Sequence, residues 1–219
     1  MSKGQLSGRA ELLLLLAITA LAAFLRLYRL GSLPPGDGHD VAQYGVDALQ
    51  ILAGARPVFL ESNFGREPLF SYLVALAYRV TGPGAYGIHL ASALAGIATI
   101  PAVWLAARAL FAGSRRGWLA WLPLLAAYLS AVSYWHLNWS RVGLRVILVP
   151  LFAALIVWAL WRGFGAAEAR PVAWAGGGRG YLLAGALLGL SLYTYQAARM
   201  LPVLVAVAFG LRALQRRRW

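Results

Sequence analysis

The 219-residue sequence contains no cysteine and only 7 acidic residues. The absence of cysteine excludes disulfide bonds, thiolate zinc sites and cysteine nucleophiles. Charged residues of either sign are also scarce, at 12%, against about 25% in ordinary soluble domains. With hydrophobic residues at 61%, the surface of a soluble protein could not be covered by polar groups. The sequence therefore predicts an all-α protein that crosses a membrane several times.

The few charges are mostly positive, and the net charge is +13. On so apolar a chain, this excess favours a loop-charge bias and contact with anionic lipid over binding of nucleic acid. The N-terminal segment has the charged start of a signal peptide, but no small-residue cleavage site follows it. We therefore predict that this segment is retained as the first membrane-spanning helix. Six segments have nearly the roughly 20 residues that a bilayer requires: 11–26, 87–110, 118–136, 143–162, 180–198 and 200–215.

The segment Pro68–Val80 decides the orientation of all later spans. Its 13 residues would form a helix of only about 20 Å, so we predict that it lies in the membrane interface. Both termini and most basic residues are then cytoplasmic, as the positive-inside rule requires. Residues 29–86 form one large outer loop, and the chain is a single plasma-membrane domain over 1–219. The cytoplasmic basic residues are Lys3, Arg9, Arg108, Arg115, Arg116, Arg162, Arg170, Arg179 and those within 212–218.

The predicted outer loop carries five of the seven acidic residues. Within it, Asp40–Ala53 has the apolar pattern of an amphipathic surface helix, with Asp40 as its predicted N-cap. A carboxylate at such a helix start could face a reacting group, although a simple capping role is the alternative. We interpret Asp47 and Glu61 as solubilising residues of the loop.

Two arginines, Arg141 and Arg145, are spaced four residues apart near the outer end of a predicted span. On a continuous helix this spacing presents both guanidinium groups on one face. Arginine outside the cell is better explained by a bound anion such as a lipid phosphate, and Arg199 also falls on this side. The alternative is interfacial snorkelling beside Trp135 and Trp139.

The three histidines, His39, His89 and His136, lack the spacing of a zinc site. The chain also has no Walker-type phosphate loop and no nucleophile elbow.

Four motifs resemble, in order and spacing, those of a known enzyme family. They are Pro-Pro-Gly at 34–36 with His-Asp-Val-Ala-Gln-Tyr-Gly at 39–45, Gly-Arg-Glu-Pro-Leu-Phe-Ser-Tyr-Leu at 65–73, Ile-His-Leu-Ala-Ser-Ala-Leu-Ala-Gly at 88–96, and Ser-Arg-Val-Gly-Leu-Arg at 140–145. The family is the dolichyl-phosphate-mannose protein mannosyltransferase superfamily (glycosyltransferase family 39-like, GT-C fold), which includes bacterial aminoarabinose transferases. The resemblance runs from about residue 12 along nearly the whole chain.

The resemblance implies an inverting glycosyltransferase that takes a sugar from a polyprenyl-phosphate donor. The acceptor would be a lipid, a glycan or a protein at the outer face of the membrane. Asp40 would match the catalytic aspartate, which removes the acceptor proton as a general base. The residues expected to hold the donor phosphate are Arg141, Arg145, Arg66 and His89, and further site candidates are His39, Tyr44 and Glu67.

The sequence also departs from the family pattern. Val41 stands where the family has a second acidic residue, which argues against a divalent metal, and no other cofactor is implied. His89 stands where many members have arginine. Full-length relatives have about twice as many spans, so we expect this chain to correspond to their N-terminal half. It would then be a truncated gene product, a fragment, or one part of a split enzyme whose C-terminal half is a separate chain. The alternative is a non-catalytic remnant that serves as a lipid-binding or assembly subunit. A transporter fits less well, because no span carries an acidic residue at mid-depth.

Overall fold

The computed structural model describes residues 7–33, 35–62, 65–112, 117–169 and 174–216. This described part of the chain is all-helical, as predicted, and an isolated bridge between Leu60 and Arg66 is its only β-pairing. Lys3, Pro34, Arg115, Arg116, Arg170, Arg217 and Arg218, which the sequence analysis used, lie outside the described residues. The helices are α1 (Gly8–Leu27), α2 (His39–Leu52), α3 (Leu69–Thr81), α4 (Ala85–Leu110), α5 (Leu122–Val132), α6 (Tyr134–Val142), α7 (Leu148–Ala169), α8 (Trp174–Ser191) and α9 (Met200–Arg216).

Four helical segments of the described chain are long and apolar enough to cross a membrane. They are Gly8–Leu27, Ala85–Leu110, Arg145–Phe164 and Gln196–Leu214. A fifth candidate is a bent pair, Gly117–Val132 with Tyr134–Val142, whose two parts meet at 53°. The predicted span 118–136 is therefore too short, because the chain turns at Ser133 and continues helically to Val142.

The predicted pair of spans at 180–198 and 200–215 also needs correction. α8 ends at Ser191, and eight residues separate it from the start of α9 at Met200. The Ser191 and Thr194 hydroxyls donate to backbone carbonyls of Leu188 and Ser191, which satisfies carbonyls at the helix end. Tyr195 is then extended, at φ −162°. α8 itself is not among the described helices that are long and apolar enough to cross a membrane.

The long helices run in alternating directions, which creates two distinct ends of the bundle. At what we call the loop end, α1, α6 and α8 stop, α4, α7 and α9 start, and the 28–84 segment packs over them. At the opposite end, which we call the aromatic end, aromatic side chains of α7, α8 and α9 contact one another in edge-to-face or tilted arrangements. The helical connectivity therefore gathers six helix ends beneath one segment.

Small residues allow α7 and α8 to approach closely. A Cβ added to Gly180 would lie 2.6 Å from the backbone nitrogen of Gly163 and 3.0 Å from the carbonyl oxygen of Ala159. Such contact between backbones is a common basis of helix association in lipid, where apolar burial alone gives little driving force. A larger residue at position 180 would force these two helices apart.

The two short helices predicted within the 28–84 segment are present, as α2 and α3. The 14 residues of α2 and the 13 of α3 would each form a helix of about 20 Å, short of the roughly 30 Å of a hydrocarbon core. The two helices pack together through an edge contact between Tyr44 and Phe70, with ring centroids 5.0 Å apart. Their buried faces continue into a core shared with α4 and α7.

Candidate functional site

A cavity of about 450 Å³ opens at the loop end, and charged side chains line it. Three sequence-predicted residues meet there that lie far apart in the chain: Asp40, Arg66 and Arg145. Tyr44, another predicted candidate, lines the same cavity. The remaining lining residues are Trp139, Leu144, Val146, Tyr195 and Gln196. The cavity thus combines one carboxylate, two guanidinium groups and several aromatic rings.

Asp40 occupies the first turn of α2, not the cap position predicted for it. The N-cap is Gly38, in an extended conformation, and it makes no side-chain capping bond. The helix begins one residue earlier than expected because Gly38 can take this position without a side chain, as glycine often does. Asp40 is exposed and still lies where the helix dipole favours a negative charge.

Arg66 is held in place by a buried ion pair. Its Nη2 donates to Asp47 Oδ2 at 2.7 Å, and both side chains are only 2% exposed. The same nitrogen donates to the Ser62 hydroxyl at 3.0 Å. The guanidinium carbon also lies 5.1 Å from the ring centroid of Tyr44, within cation–π range. Nη1 is buried and has no hydrogen-bond partner among the described residues, so this nitrogen is not committed there.

The interpretation of Asp47 as a solubilising residue is wrong, because this carboxylate is the counter-ion of Arg66. A signal for its burial was present in the sequence. Asp47 follows Tyr44 by one helical turn and precedes Ile51 by another, so it lies along the apolar face of α2. A charged residue on an apolar face is typical of a buried, paired group.

Arg145 is the second anchored cation of the cavity. Its Nη1 donates to Glu67 Oε2 at 2.7 Å, with side-chain exposures of 10% and 7%. Arg199, which is mostly exposed, donates to the other oxygen of Glu67 at 3.1 Å. The guanidinium of Arg145 lies 5.3 Å from the Tyr195 ring centroid. Glu67 therefore stands behind the cavity as the shared partner of two arginines.

The predicted shared helix face of Arg141 and Arg145 does not exist. α6 ends at Val142, and Gly143 adopts a left-handed conformation at φ 82°. A Cβ at Gly143 would also lie 2.9 Å from the His89 ring. Because the chain turns sharply at this glycine, the two guanidinium groups point to different surroundings.

Arg141 binds backbone carbonyls instead of lining the cavity. Its guanidinium donates to four carbonyl oxygens at 2.7–3.0 Å. They belong to Leu25, Arg26, Tyr28 and Leu33, at and just beyond the end of α1. The terminal carbonyls of a helix lack intrahelical partners, so Arg141 satisfies the end of α1.

Tyr44 is buried among the charged groups of the cavity, at 3% exposure. Burial, the largest effect, raises the pKa of its phenol above the ordinary value of 10.0, and Asp40 adds to the rise. The positive charges of Arg145 and Arg66 oppose it. The phenol therefore stays protonated at neutral pH and can donate a hydrogen bond into the cavity.

The two remaining candidates, His89 and His39, do not line the cavity. His89 Nε2 hydrogen-bonds to Asp37 Oδ1 at 2.8 Å, and this contact ties the segment before α2 to α4. His39 is the exposed first residue of α2, next to Asp40. Among the described residues, no group of three His, Cys, Asp or Glu side chains could hold a metal ion.

An apolar cleft of about 550 Å³ lies between α3, α4, α7 and α8. Leu69 and Leu148 are at the end of this cleft that is nearest in sequence to Glu67 and Arg145. Sequence analysis did not identify it, because its walls come from four separate apolar helices that hydropathy treats as equivalent.

The chain matches no family model, curated protein or solved structure.

Proposed function

We propose that the chain is a membrane glycosyltransferase, or the catalytic part of one, that uses a polyprenyl-phosphate sugar. In the proposed reaction, an acceptor hydroxyl oxygen forms a bond to the anomeric carbon and gives its proton to the Asp40 carboxylate. The bond between the anomeric carbon and the phosphate oxygen breaks, and polyprenyl phosphate leaves with the bonding electron pair. The sugar is transferred with inversion.

One observation carries this proposal: a carboxylate and two anchored guanidinium groups, distant in sequence, line one cavity. A base and a set of phosphate-binding cations are the two components that the reaction requires. Arg66 and Arg145 are pre-organised by their buried carboxylates, so little side-chain entropy is lost when they bind an anion. The structure thus favours Arg66 and Arg145 over Arg141 and His89 as phosphate ligands.

The apolar cleft would hold the first part of the polyprenyl chain. A donor of this class has a phosphate head and a long hydrocarbon tail. The cavity offers a polar environment for the phosphate, and the cleft offers an apolar one for the tail. Leu69 and Leu148, at the starts of α3 and α7, line the end of the cleft that is nearest in sequence to the cavity residue Arg145. Trp139 and Tyr195 in the cavity wall provide flat surfaces against which sugar rings can pack.

We also propose six spans, formed by α1, α4, the bent pair α5–α6, α7, α8 and α9. The loop end then faces outward, both termini are cytoplasmic and the protein resides in the plasma membrane. The alternating helix directions and the positive-inside rule support this arrangement.

Cysteine labelling tests the orientation without background, since the chain has no cysteine. Ala55→Cys and Ala112→Cys both place a thiol at exposed positions, one before α3 and one after α4. In intact cells, a membrane-impermeant maleimide should label position 55, whereas position 112 should react only after permeabilisation. The reverse pattern would overturn the proposed sidedness.

The substitution Asp40→Asn tests the base. It preserves size and removes the basic carboxylate, so the transfer rate should fall by about 10²- to 10⁴-fold, while donor binding persists. Transfer from polyprenyl-phosphate mannose or aminoarabinose would be measured in nanodiscs, and donor binding by thermophoresis. Glu61→Gln, at an exposed carboxylate of the same segment, is the matched control. Undiminished transfer by Asp40→Asn would eliminate Asp40 as the base.

A second function, a non-catalytic subunit that binds lipid phosphate, is favoured by one observation. Val41, where the family has a second acidic residue, is buried in the core at 2% exposure. The side chain at this position thus packs in an apolar core and does not line the cavity. Donor binding by the wild type without turnover, under conditions where a homologous full-length enzyme is active, would establish this alternative.

A further inference from the structure

We propose a second anion site, separate from the cavity of Asp40, that binds the headgroup phosphate of an anionic phospholipid. It is a pocket of about 270 Å³ between the C-terminal end of α2 and the side of α3 that carries Tyr72 and Arg79. Arg56 and Arg79 line it together with Tyr72 and Leu76. The inference requires only that α2 and α3 lie at a membrane surface, and it does not depend on sugar transfer.

The two arginines are available to an anion. Arg79 is exposed in the last turn of α3 and makes no ion pair or hydrogen bond within the described residues. Arg56 is fixed at the pocket because its Nη1 donates to the carbonyls of Ala55, at 2.7 Å, and Ile51, at 3.1 Å. Its other guanidinium nitrogens make no hydrogen bond within the described residues. Two guanidinium groups so placed can bind a phosphate from two sides, with several donors each.

Within the described part of the chain, no carboxylate lines this pocket, which distinguishes it from the Asp40 cavity. Asp47, on the neighbouring part of α2, is already paired with Arg66. The local charge is therefore positive and not balanced by the lining. A phosphodiester would neutralise it, whereas the quaternary ammonium of phosphatidylcholine would meet repulsion.

The apolar surroundings identify the anion as part of a lipid. Leu76 belongs to the walls of both this pocket and the large apolar cleft on the other side of α3. Leu76 is 60% exposed, and Val80 beyond it is 85% exposed. Acyl chains that leave a headgroup at Arg79 would thus run over an apolar surface. A soluble phosphate would gain nothing from these side chains.

Native mass spectrometry of the full chain tests the proposal. The protein would be released from nanodiscs that contain equal amounts of phosphatidylglycerol and phosphatidylcholine with identical acyl chains. The wild type should retain phosphatidylglycerol preferentially. Arg79→Gln should weaken this retention by about tenfold, and the double variant Arg56→Gln/Arg79→Gln by more, as expected for lost charge-assisted bonds.

Arg29→Gln is the matched control, since Arg29 is another exposed arginine of the 28–84 segment outside the pocket. It should retain the lipid as the wild type does. Arg79→Gln alone keeps the test valid if Arg56→Gln disturbs the end of α2, because Arg79 makes no internal bond that folding requires. Equal loss in Arg29→Gln, or no preference in the wild type, would overturn the proposal. Displacement of the bound lipid by millimolar glycerol 3-phosphate would show a site for soluble phosphate and would also overturn it.

Discussion

The two ends of the helical bundle are built on different principles. At the loop end, two ion pairs, Arg66–Asp47 and Arg145–Glu67, are almost fully buried. At the aromatic end, the rings of Phe164, Tyr181 and Phe209 contact one another edge-to-face or tilted, with centroids 5.1–5.9 Å apart. Glu11, in the first turn of α1 and thus away from the loop end, has a buried carboxylate as well. It accepts a hydrogen bond from Trp104 Nε1 and lies 4.0 Å from the half-exposed Arg108.

This difference supports the proposal that the functional site lies at the loop end. A buried ion pair contributes little net stability, because desolvation of both charges offsets most of their attraction. Apolar residues of similar size would stabilise the loop end at least as well, as the aromatic rings do at the other end. Two buried pairs beside one cavity are therefore better explained by a need for positioned cations than by a need for stability.

Among the substitutions that test this comparison, Glu67→Gln is expected to lower the free energy of unfolding the most. It leaves Arg145 buried without its counter-ion and also removes the partner of Arg199. The loss of one partner of a buried pair typically costs about 3–5 kcal/mol. Thermal unfolding in detergent should show this destabilisation, together with weaker donor binding.

Glu61→Gln removes an exposed carboxylate of the same segment and should change neither quantity. A Glu67→Gln protein as stable as the wild type would mean that Arg145 is hydrated or relocates easily. The contrast between the two ends would then disappear.

The next largest effect separates Arg141 from Arg145, which the sequence treats as equivalent. Arg145→Ala should weaken binding of a polyprenyl-phosphate sugar by about 1.5–3 kcal/mol, or roughly 10- to 150-fold. Arg141→Ala should leave donor affinity intact, because this side chain binds the end of α1. Its effect should instead be a lower unfolding temperature. Equal loss of donor affinity in both variants would contradict the assignment.

The sequence predicted the parts of the fold that depend on local pattern. The apolar runs located α1, α4, α7 and α9 but misplaced α8, and the amphipathic pattern over Asp40–Ala53 located α2 to within one residue at each end. The short apolar run at 68–80 was correctly kept apart from the long spans as α3. These features follow from periodicity and length, which are readable one segment at a time.

The partners of the buried charges could not be predicted in the same way. Arg26 is fully buried in α1 and donates to the carbonyl of Ala131 and to His136 Nδ1. These bonds join residues more than 100 positions apart, at the break between α5 and α6. Because polar groups in a membrane must find partners, burial of Arg26 was foreseeable, but the identity of its partners required the packed structure.

The same distinction between local pattern and packed structure applies to the candidate site residues. Asp40, Arg66 and Arg145 line one cavity, while Arg141 and His89 bind elsewhere because Gly143 turns the chain and Asp37 engages the imidazole. The sequence signal for this break was Gly143, which lies within the Arg-x-x-x-Arg spacing and adopts a left-handed conformation in the structure. Glycine is the residue that most readily ends a helix in this conformation, so an i, i+4 inference across it needed a continuous helix that the sequence did not guarantee.

The smallest effect is expected from Phe209→Ala at the aromatic end. The substitution removes ring contacts with Phe164 and Tyr181, each contributing about 0.5–1.5 kcal/mol. Phe209 is 41% exposed, so little further packing is lost, and Phe209→Leu should recover part of the difference. Both variants should unfold at slightly lower temperature, yet bind and transfer the donor sugar as the wild type does. A loss of donor affinity in Phe209→Ala, with the fold intact by circular dichroism, would show that the aromatic end is coupled to the site. In that case buried charge alone would not mark the functional region, since packing at the far end of α7 and α9 would also determine the geometry of Arg145 and Arg199.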